Sequence, residues 1–389
     1  MVVLKAGADT GNSGLKLIIK GQKPLFIPSI YSHYVGPSTG IVTEEDIPVS
    51  ELEKNIDVTI SSPALKENGL RYVIGEMVLE EGLSGIEMEK KSDKSNDDLV
   101  TIVTLAGLAI GAMKEQPDTD KIDVTYDLGV ALPVATITPE KAQQLANRYM
   151  DRHKVTFHHP SGREVTVNIE VEYCKCLPEA AAGAWSIVYD VDGTVNKRKV
   201  EVSDSGKKTM EVELINKTLL SFDIGAGTTE EVVSQGVSFK HKLSRGLPYG
   251  VKETLLDIMK VWNQENKQKT IDSIAEFNAI YLDSEHPRHI RLKTVSKGAL
   301  IGLANRVATD LINKIDDMKD DPYVFIYGGG SAIIKESLQE ILAKKGRLTN
   351  VIFLKDPIFV NAKGLLVYTC SPRFEELKEK ALATTAGEK

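Results

Sequence analysis

The sequence predicts an α/β fold in which one strand–turn–strand element is used twice. The first copy is VVLKAGADTGNSGLKLII, where an apolar run ends in Asp9 and turns at Gly11. The second is LLSFDIGAGTTEEVV, where an apolar run ends in Asp223 and turns at Gly225. Helical text follows each copy, so the order is strand-rich half, helix, strand-rich half, closing helix. That order reads as an internal duplication.

The elements follow from pattern. Residues 2–8 and 14–19 alternate about the first turn and predict a hairpin. Pro28, Pro37 and Pro48 then demote any long strand. RYVIGEMV (71–78) reads as a strand end turned by Gly75. MEKKSDKSNDD (88–98) is a charged loop whose Ser95 and Asn96 are helix-cap types, and a helix is expected from about Asp97 to Lys114. DVTYDLGVALPV (123–134) reads as a buried strand. TPEKAQQLANRYMD has a Thr cap, a first-turn Pro and a Glu, the start of a helix. A hairpin turns at Pro160-Ser-Gly, with His158 and His159 expected as exposed turn residues. LPEAAAGAWSIVYD (177–190) predicts a helix opened by Pro178 and Glu179. Residues 190–217 read as a polar hairpin insert, and Asp190, Asp192 and Gly193 as its turn rather than a calcium loop. A helix is expected after Gly250, and another over 294–315 with a core stripe Ala299, Leu303, Val307, Leu311, Ile315. PYVFIYGGGSAII (322–334) predicts a buried strand, three glycines and a helix. VIFLKDPIFVNAKGLLVY (351–368) predicts strand, turn and helix, and the tail a charged helix that frays.

At 389 residues the chain is long enough for two domains with full cores. Apolar content of 42% and charged content of 26% are ordinary for a soluble globular protein. A net charge of −7 argues against a direct non-specific grip on nucleic acid, which needs a basic face. Cys174, Cys176 and Cys370 are too few for a disulfide framework, and Cys174 and Cys176 are too close-set for a zinc pair, so reduced thiols in a cytoplasmic protein are expected. The start lacks a signal peptide's basic residues and cleavage site. Leu99 to Met113, the most apolar stretch, falls short of a ~20-residue bilayer span and reads as a buried helix.

Glycine lets the backbone turn sharply and lets bare N–H groups approach an anion. Two such turns facing each other would grip a polyphosphate from both sides, with the aspartates holding a hydrated magnesium. Each turn alone is an ordinary hairpin turn; it is the repeated Asp-x-Gly with hydroxyl side chains after it that points to a ligand. Neither a Walker loop nor a Rossmann fingerprint occurs.

On these residues the chain resembles the actin superfamily of ATPases. Asp9, Gly11 and Lys16 fit its first phosphate loop, D-x-G-x-x-x-x-K. Asp223, Gly225, Gly227, Thr228 and Thr229 fit the second, D-x-G-x-G-T-T. VFIYGGGS, with Gly328, Gly329, Gly330 and Ser331, is similar to the adenosine segment. LPEAAAGAW, with Pro178, Glu179, Ala182 and Gly183, is similar to the helix connecting the phosphate loops. GVALPV, YVIGEMV and DPIFVNAKG are similar to the plasmid-partition actins of bacteria, the ParM/StbA type. Ala226 and Glu230 depart from the second loop's pattern, and the 190–217 insert is longer than expected.

The resemblance implies a two-lobed actin-like fold of duplicated RNase H-like domains with the nucleotide in the interdomain cleft. It places the first domain at 1–189 with a closing helix at 365–389, and the second at 190–364. It implies that amides around Asn12, Ser13 and Gly14 hold the γ-phosphate, and that the turn from Gly225 through Ala226 and Gly227 to Thr228 holds the β-phosphate. Lys16 would meet the β/γ oxygens, Asp9 and Asp223 would hold Mg²⁺ mostly through water, and Glu179 would orient or deprotonate the attacking water. The local alternative for Glu179 is an ordinary first-turn glutamate at a helix dipole. The implied activity is hydrolysis of ATP, or GTP, coupled to filament dynamics. The implied partners are further copies of the chain and a DNA-binding adaptor carrying plasmid cargo, with no direct nucleic-acid or membrane contact. A small-molecule kinase on the same fold is one alternative, but no acceptor-base motif stands out. A cell-division scaffold is another, but FEELKEKALATT lacks a bulky apolar face. A chaperone is disfavoured because no substrate-binding domain follows.

Overall fold

The computed structural model describes residues 2–34, 36, 45–89, 92–201 and 209–387. Pro37, residues 90 and 91 of the charged loop, and 202–208 of the insert lie outside these. The chain divides into two compact units, residues 1–194 with 361–389, and 195–360.

The first unit holds strands β1 (Val3–Thr10), β2 (Leu15–Ile19), β3 (Leu25–Ile27), β4 (Ile30–His33), β5 (Ile56–Ser61), β6 (Leu70–Ile74), β7 (Ile86–Glu87), β8 (Lys121–Leu132), β9 (Arg152–His158) and β10 (Glu164–Pro178). They form a ten-stranded sheet in the order β3-β2-β1-β8-β10-β9-β5-β6-β4-β7. Its helices are α1 (Glu76–Glu80), α2 (Asp98–Glu115), α3 (Pro139–Tyr149) and α4 (Ala181–Val188). Every residue of α2 from Leu99 to Met113 is buried, including the two polar ones, Thr101 and Thr104, which accounts for its charge-free, largely apolar text.

The second unit has β11 (Lys197–Glu201) and β12 (Thr209–Glu213) as a separate ribbon. Its main sheet is β13 (Thr218–Ile224), β14 (Thr229–Gln235), β15 (Ser238–Phe239), β16 (Arg245–Leu247), β17 (Tyr323–Tyr327) and β18 (Val351–Phe353). The helices are α5 (Lys252–Glu265), α6 (Ile274–Leu282), α7 (His289–Asp317) and α8 (Gly329–Lys344). α9 (Val360–Thr369) leads back to the first unit, which α10 (Pro372–Gly387) closes.

The duplication is explicit in the pairing. β1 pairs antiparallel with β2 and parallel with β8, which pairs parallel with β10. β13 pairs antiparallel with β14 and parallel with β17, which pairs parallel with β18. Each sheet thus carries the same strand–hairpin–parallel–parallel core.

Several expectations need correction. His159 is buried rather than exposed, its Nδ1 accepting from the Ile47 amide at 3.1 Å, and His158 bonds Thr59 Oγ1 at 2.8 Å. The cap of α2 is Asp97, whose side chain accepts from the Leu99 amide, while Ser95 and Asn96 belong to a preceding 3₁₀ turn. On α7 the buried stripe is Leu292, Ser296, Leu300, Leu303, Ala304, Val307, Ala308 and Leu311, and Ala299 is exposed. A strict four-residue repeat drifts around a 3.6-residue helix, so the true stripe mixes steps of three and four. Strand β5 escaped detection because prolines surround it. The closing helix is anchored: Phe374 is fully buried against Tyr173 and Tyr368, and Lys378 binds the fully buried Asp127.

Candidate phosphate-loop site

Asp9 lies at the end of β1, buried, with Lys16 of β2 opposite it in register. Gly11 and Gly14 close the turn on each other, each amide donating to the other's carbonyl at 3.1 and 3.2 Å. Ser29 Oγ adds a 2.7 Å bond to the Gly11 carbonyl. The Gly14 amide is therefore committed to the turn, and the amides of Asn12 and Ser13 have no partner among the described residues. Lys16 Nζ folds back on the same turn, donating to Ser13 Oγ at 2.9 Å and the Gly14 carbonyl at 3.0 Å.

The second turn is built the same way in its own unit. Asp223 lies at the end of β13, buried, opposite Glu230. The Gly225 amide donates to the Thr228 carbonyl at 2.9 Å. The carbonyls of Gly225 and Ala226 accept from the amides of Val251 and Lys252 at the start of α5. The turn's acceptors thus satisfy a helix terminus, and the amides of Ala226, Gly227 and Thr228 have no partner among the described residues. Thr229 is fully buried, and its hydroxyl donates to the Tyr249 carbonyl at 3.0 Å, so it braces the turn.

The three glycines do not form a loop before a helix. Gly329 and Gly330 are already the first turn of α8, and only Gly328, at φ +88°, precedes it. A Cβ on Gly328 would lie 2.3 Å from Asp223 Oδ1, so the α8 N-terminus is packed directly on the loop aspartate. Ser331 Oγ donates to the Gly328 carbonyl at 2.8 Å. A helix N-terminus beside a bend of unpartnered amides is a strong anion-binding arrangement.

Glu179 is not in the first turn of a helix. Pro178 ends β10, and α4 begins at Ala181. Between them Ala180 has φ +61°, and the Ala181 amide donates to the Glu179 carbonyl at 2.7 Å, a strained γ-turn. Asn361 holds this turn: its Oδ1 accepts from the Ala180 amide at 3.2 Å, and its Nδ2 donates to Asp9 Oδ2 at 3.4 Å. The Glu179 side chain is buried and its Oε1 accepts from Lys94 Nζ at 2.7 Å. Burial pushes the Glu179 carboxyl above its ordinary range, Lys94 pulls against this, Asp9 adds to it, and Lys16 opposes it. The first unit therefore brings Asp9, the 11–16 turn and Glu179 into one electrostatic group. The second brings together Asp223, the 225–229 turn and residues 328–331.

Neither Lys94 nor Asn361 stands out in the sequence as a site residue. Asn361 lay in the DPIFVNAKG run, a usable signal; Lys94 sat in a charged loop, where a lysine reads as solvated. A cavity of about 530 Å³ lined by Tyr31, Tyr72, Glu67 and Asp97 shares no residue with either turn.

Residues 7–181 match the family model described as the actin-like proteins N-terminal domain. Among solved structures, the actin-like protein Alp7A superposes with a TM-score of 0.74 at 18% identity, over 99% of this chain and 100% of that one. The chain has the actin-like fold. Bacillus thuringiensis ParM with ATP gives a TM-score of 0.69 at 15% identity, covering 96% of this chain and 99% of that one. Ta0583, an archaeal actin homolog, gives 0.62 at 17% identity, covering 94% and 99%. No curated protein sequence matches. In the actin-like fold the two Asp-capped bends are the same element of each duplicated sheet. No helix among the described residues is long and apolar enough to cross a membrane.

Proposed function

We propose that this chain is an Mg²⁺-dependent ATPase that polymerises into nucleotide-dependent filaments and serves plasmid DNA segregation in the cytoplasm. The observation that carries this reading is the pair of Asp-capped bends, each with backbone amides that have no partner among the described residues. Such amides are poor in an isolated hairpin and well suited to a polyphosphate.

In the first bend the amides of Asn12 and Ser13, with Lys16, hold the γ-phosphate end. In the second, the amides of Ala226, Gly227 and Thr228 hold the β-phosphate, and residues Gly328 to Ser331 take the nucleoside side. This chain's donors fit a triphosphate: a compact ammonium, bare amides and two strand-end carboxylates. When bound, Mg²⁺ would neutralise phosphate charge, held by Asp9 and Asp223 mainly through water. Phosphoryl transfer asks mostly for positioning and charge neutralisation. Glu179 supplies the remaining element, a buried carboxylate that orients the attacking water and accepts its proton. ParM of the similar fold has been solved with ATP, which supports the choice of ligand. Head-to-tail contacts between copies generate an open filament because they do not close. An acidic chain suits DNA attachment through a separate adaptor rather than by direct contact.

The test is sedimentation and light scattering at tens of micromolar protein with ATP and Mg²⁺. Polymer that forms with ATP and disassembles as phosphate is released is the expected result. No pelletable polymer with any nucleotide would remove the filament reading.

A further inference from the structure

We propose that Lys94 is a positioning residue for hydrolysis, fixing one oxygen of the Glu179 carboxylate so that the other is presented to the attacking water. This rests on the reading of Glu179 given above.

Lys94 opens the 3₁₀ turn Lys94–Asn96 that leads into α2. It is far from Glu179 in sequence, yet its Nζ lies 2.7 Å from Glu179 Oε1, with both side chains almost wholly withdrawn from solvent. Glu179 Oε2 is different: it has no hydrogen-bond partner among the described residues, and it is not sealed from solvent. A carboxylate with one oxygen anchored by a cation and one left open is a directed acceptor. Were both oxygens free, the side chain would sample several rotamers, and alignment with a water would be lost.

The backbone beneath Glu179 is fixed as firmly. Its amide donates to the Leu132 carbonyl at 2.8 Å, and the γ-turn at Ala180 is held by Asn361. The only soft coordinate left is the side chain, and Lys94 removes it. The charged groups acting on Glu179 are Lys94 from the 3₁₀ turn, Asp9 from β1 and Lys16 from β2. Of these, only Lys94 makes a direct hydrogen bond among the described residues. Lys16 is engaged with the first bend. Its assigned partner is phosphate, whereas that of Lys94 is the carboxylate. The anchoring turn is also rigid: Asp93 accepts from both the amide and the hydroxyl of the buried Ser95. A rigid turn carrying the cation is what a positioning role requires.

The experiment is a double-mutant cycle on single-turnover phosphate release, using K94M, K94R, E179Q and K94M/E179Q. A non-hydrolysable ATP analogue measures affinity in parallel by calorimetry. K94M should slow release by about 10- to 100-fold with analogue affinity within about twofold, a loss in the chemical step rather than in binding. K94R should restore much of the rate. E179Q should be slower still, and K94M/E179Q no slower than E179Q, since Lys94 acts only through that carboxylate. The double variant also removes both buried charges, which keeps the cycle readable if K94M alone folds poorly. If E179Q slows release but K94M does not, or if the two losses multiply, the role of Lys94 is refuted. If E179Q itself leaves the rate unchanged, the assignment of Glu179 fails instead.

Discussion

Gly328, Gly329 and Gly330 look interchangeable in the sequence, but the structure assigns them different costs on substitution by alanine. Gly328 has φ +88° and ψ 161°, a region open in practice only to glycine, so any side chain costs about 1–3 kcal/mol in backbone strain. The added Cβ would also lie 2.3 Å from Asp223 Oδ1 and 2.5 Å from the Ile224 carbonyl. Overpacking against such fixed atoms adds about 1–3 kcal/mol. Gly328→Ala should therefore lose about 2–6 kcal/mol, a large fraction of a typical total of about 5–15 kcal/mol. At Gly329 a Cβ would meet only Ile358 Cγ2, at 3.7 Å. With helical backbone and open space, Gly329→Ala should be neutral or stabilising by up to about 1 kcal/mol. Gly330→Ala returns to the costly class, with Val251 Cγ1 at 2.5 Å and Ile224 Cγ2 at 2.7 Å. Denaturant unfolding of the three variants is the assay, paired with titration of ATP. The open space above Gly329 is where the proposed nucleoside would rest, so Gly329→Ala should weaken ATP binding while leaving stability intact. Equal stability losses at all three positions would refute the packing argument. Unchanged ATP affinity in Gly329→Ala would remove this segment from the binding site.

Three further outcomes are expected. Asn361→Ala takes the acceptor from the Ala180 amide and should cost about 1–3 kcal/mol, measured by urea unfolding; a loss below experimental error would mean that the γ-turn holds itself. Asp127 is fully buried, with Lys5 Nζ at 2.8 Å and Lys378 Nζ at 2.9 Å. Asp127→Asn should cost about 3 kcal/mol, the lower end for a broken buried pair, because Glu375 and Glu172 still reach the two lysines. A melting temperature equal to that of the wild type would count against this network as the anchor of α10. His153, His158 and His159 are each held below the ordinary histidine value of 6.5, chiefly by burial. The unfolded chain therefore takes up these protons first as the pH falls. Their contribution is complete above about 6.5 and drains away below it as the folded values are approached. Melting temperature should fall between pH 7 and pH 5, and a flat profile would contradict the burial argument.

Much of this architecture is written locally. The two bends are legible because Asp-x-Gly after an apolar run is both a turn signal and a chemical one. The buried α2 is legible because the stretch from Leu99 to Met113 has no charge and no polar side chain beyond Thr101 and Thr104, and so has nowhere else to go. What failed was whatever depends on distant partners. Glu179 reads as a helix start because Pro-Glu before alanines is a helix-start pattern; the γ-turn exists because Asn361, far along the chain, accepts the Ala180 amide. Lys94 carries no local sign of its partner, since a lysine in a charged loop has the same text whether solvated or buried. The burial of the histidines is not legible because Pro160-Ser-Gly fixes a turn but not what packs over it.

The closing helix makes the first unit discontinuous in the chain: its sheet begins at Val3 and Lys5 there already meets Asp127, yet the second lysine on that carboxylate arrives only at position 378. A ribosome therefore releases everything needed for the second unit before it releases the last piece of the first. The later-encoded unit is free to mature while its predecessor waits with an interior carboxylate that has only one of its two lysines. Clipping the final turns would then injure the lobe that was synthesised earliest.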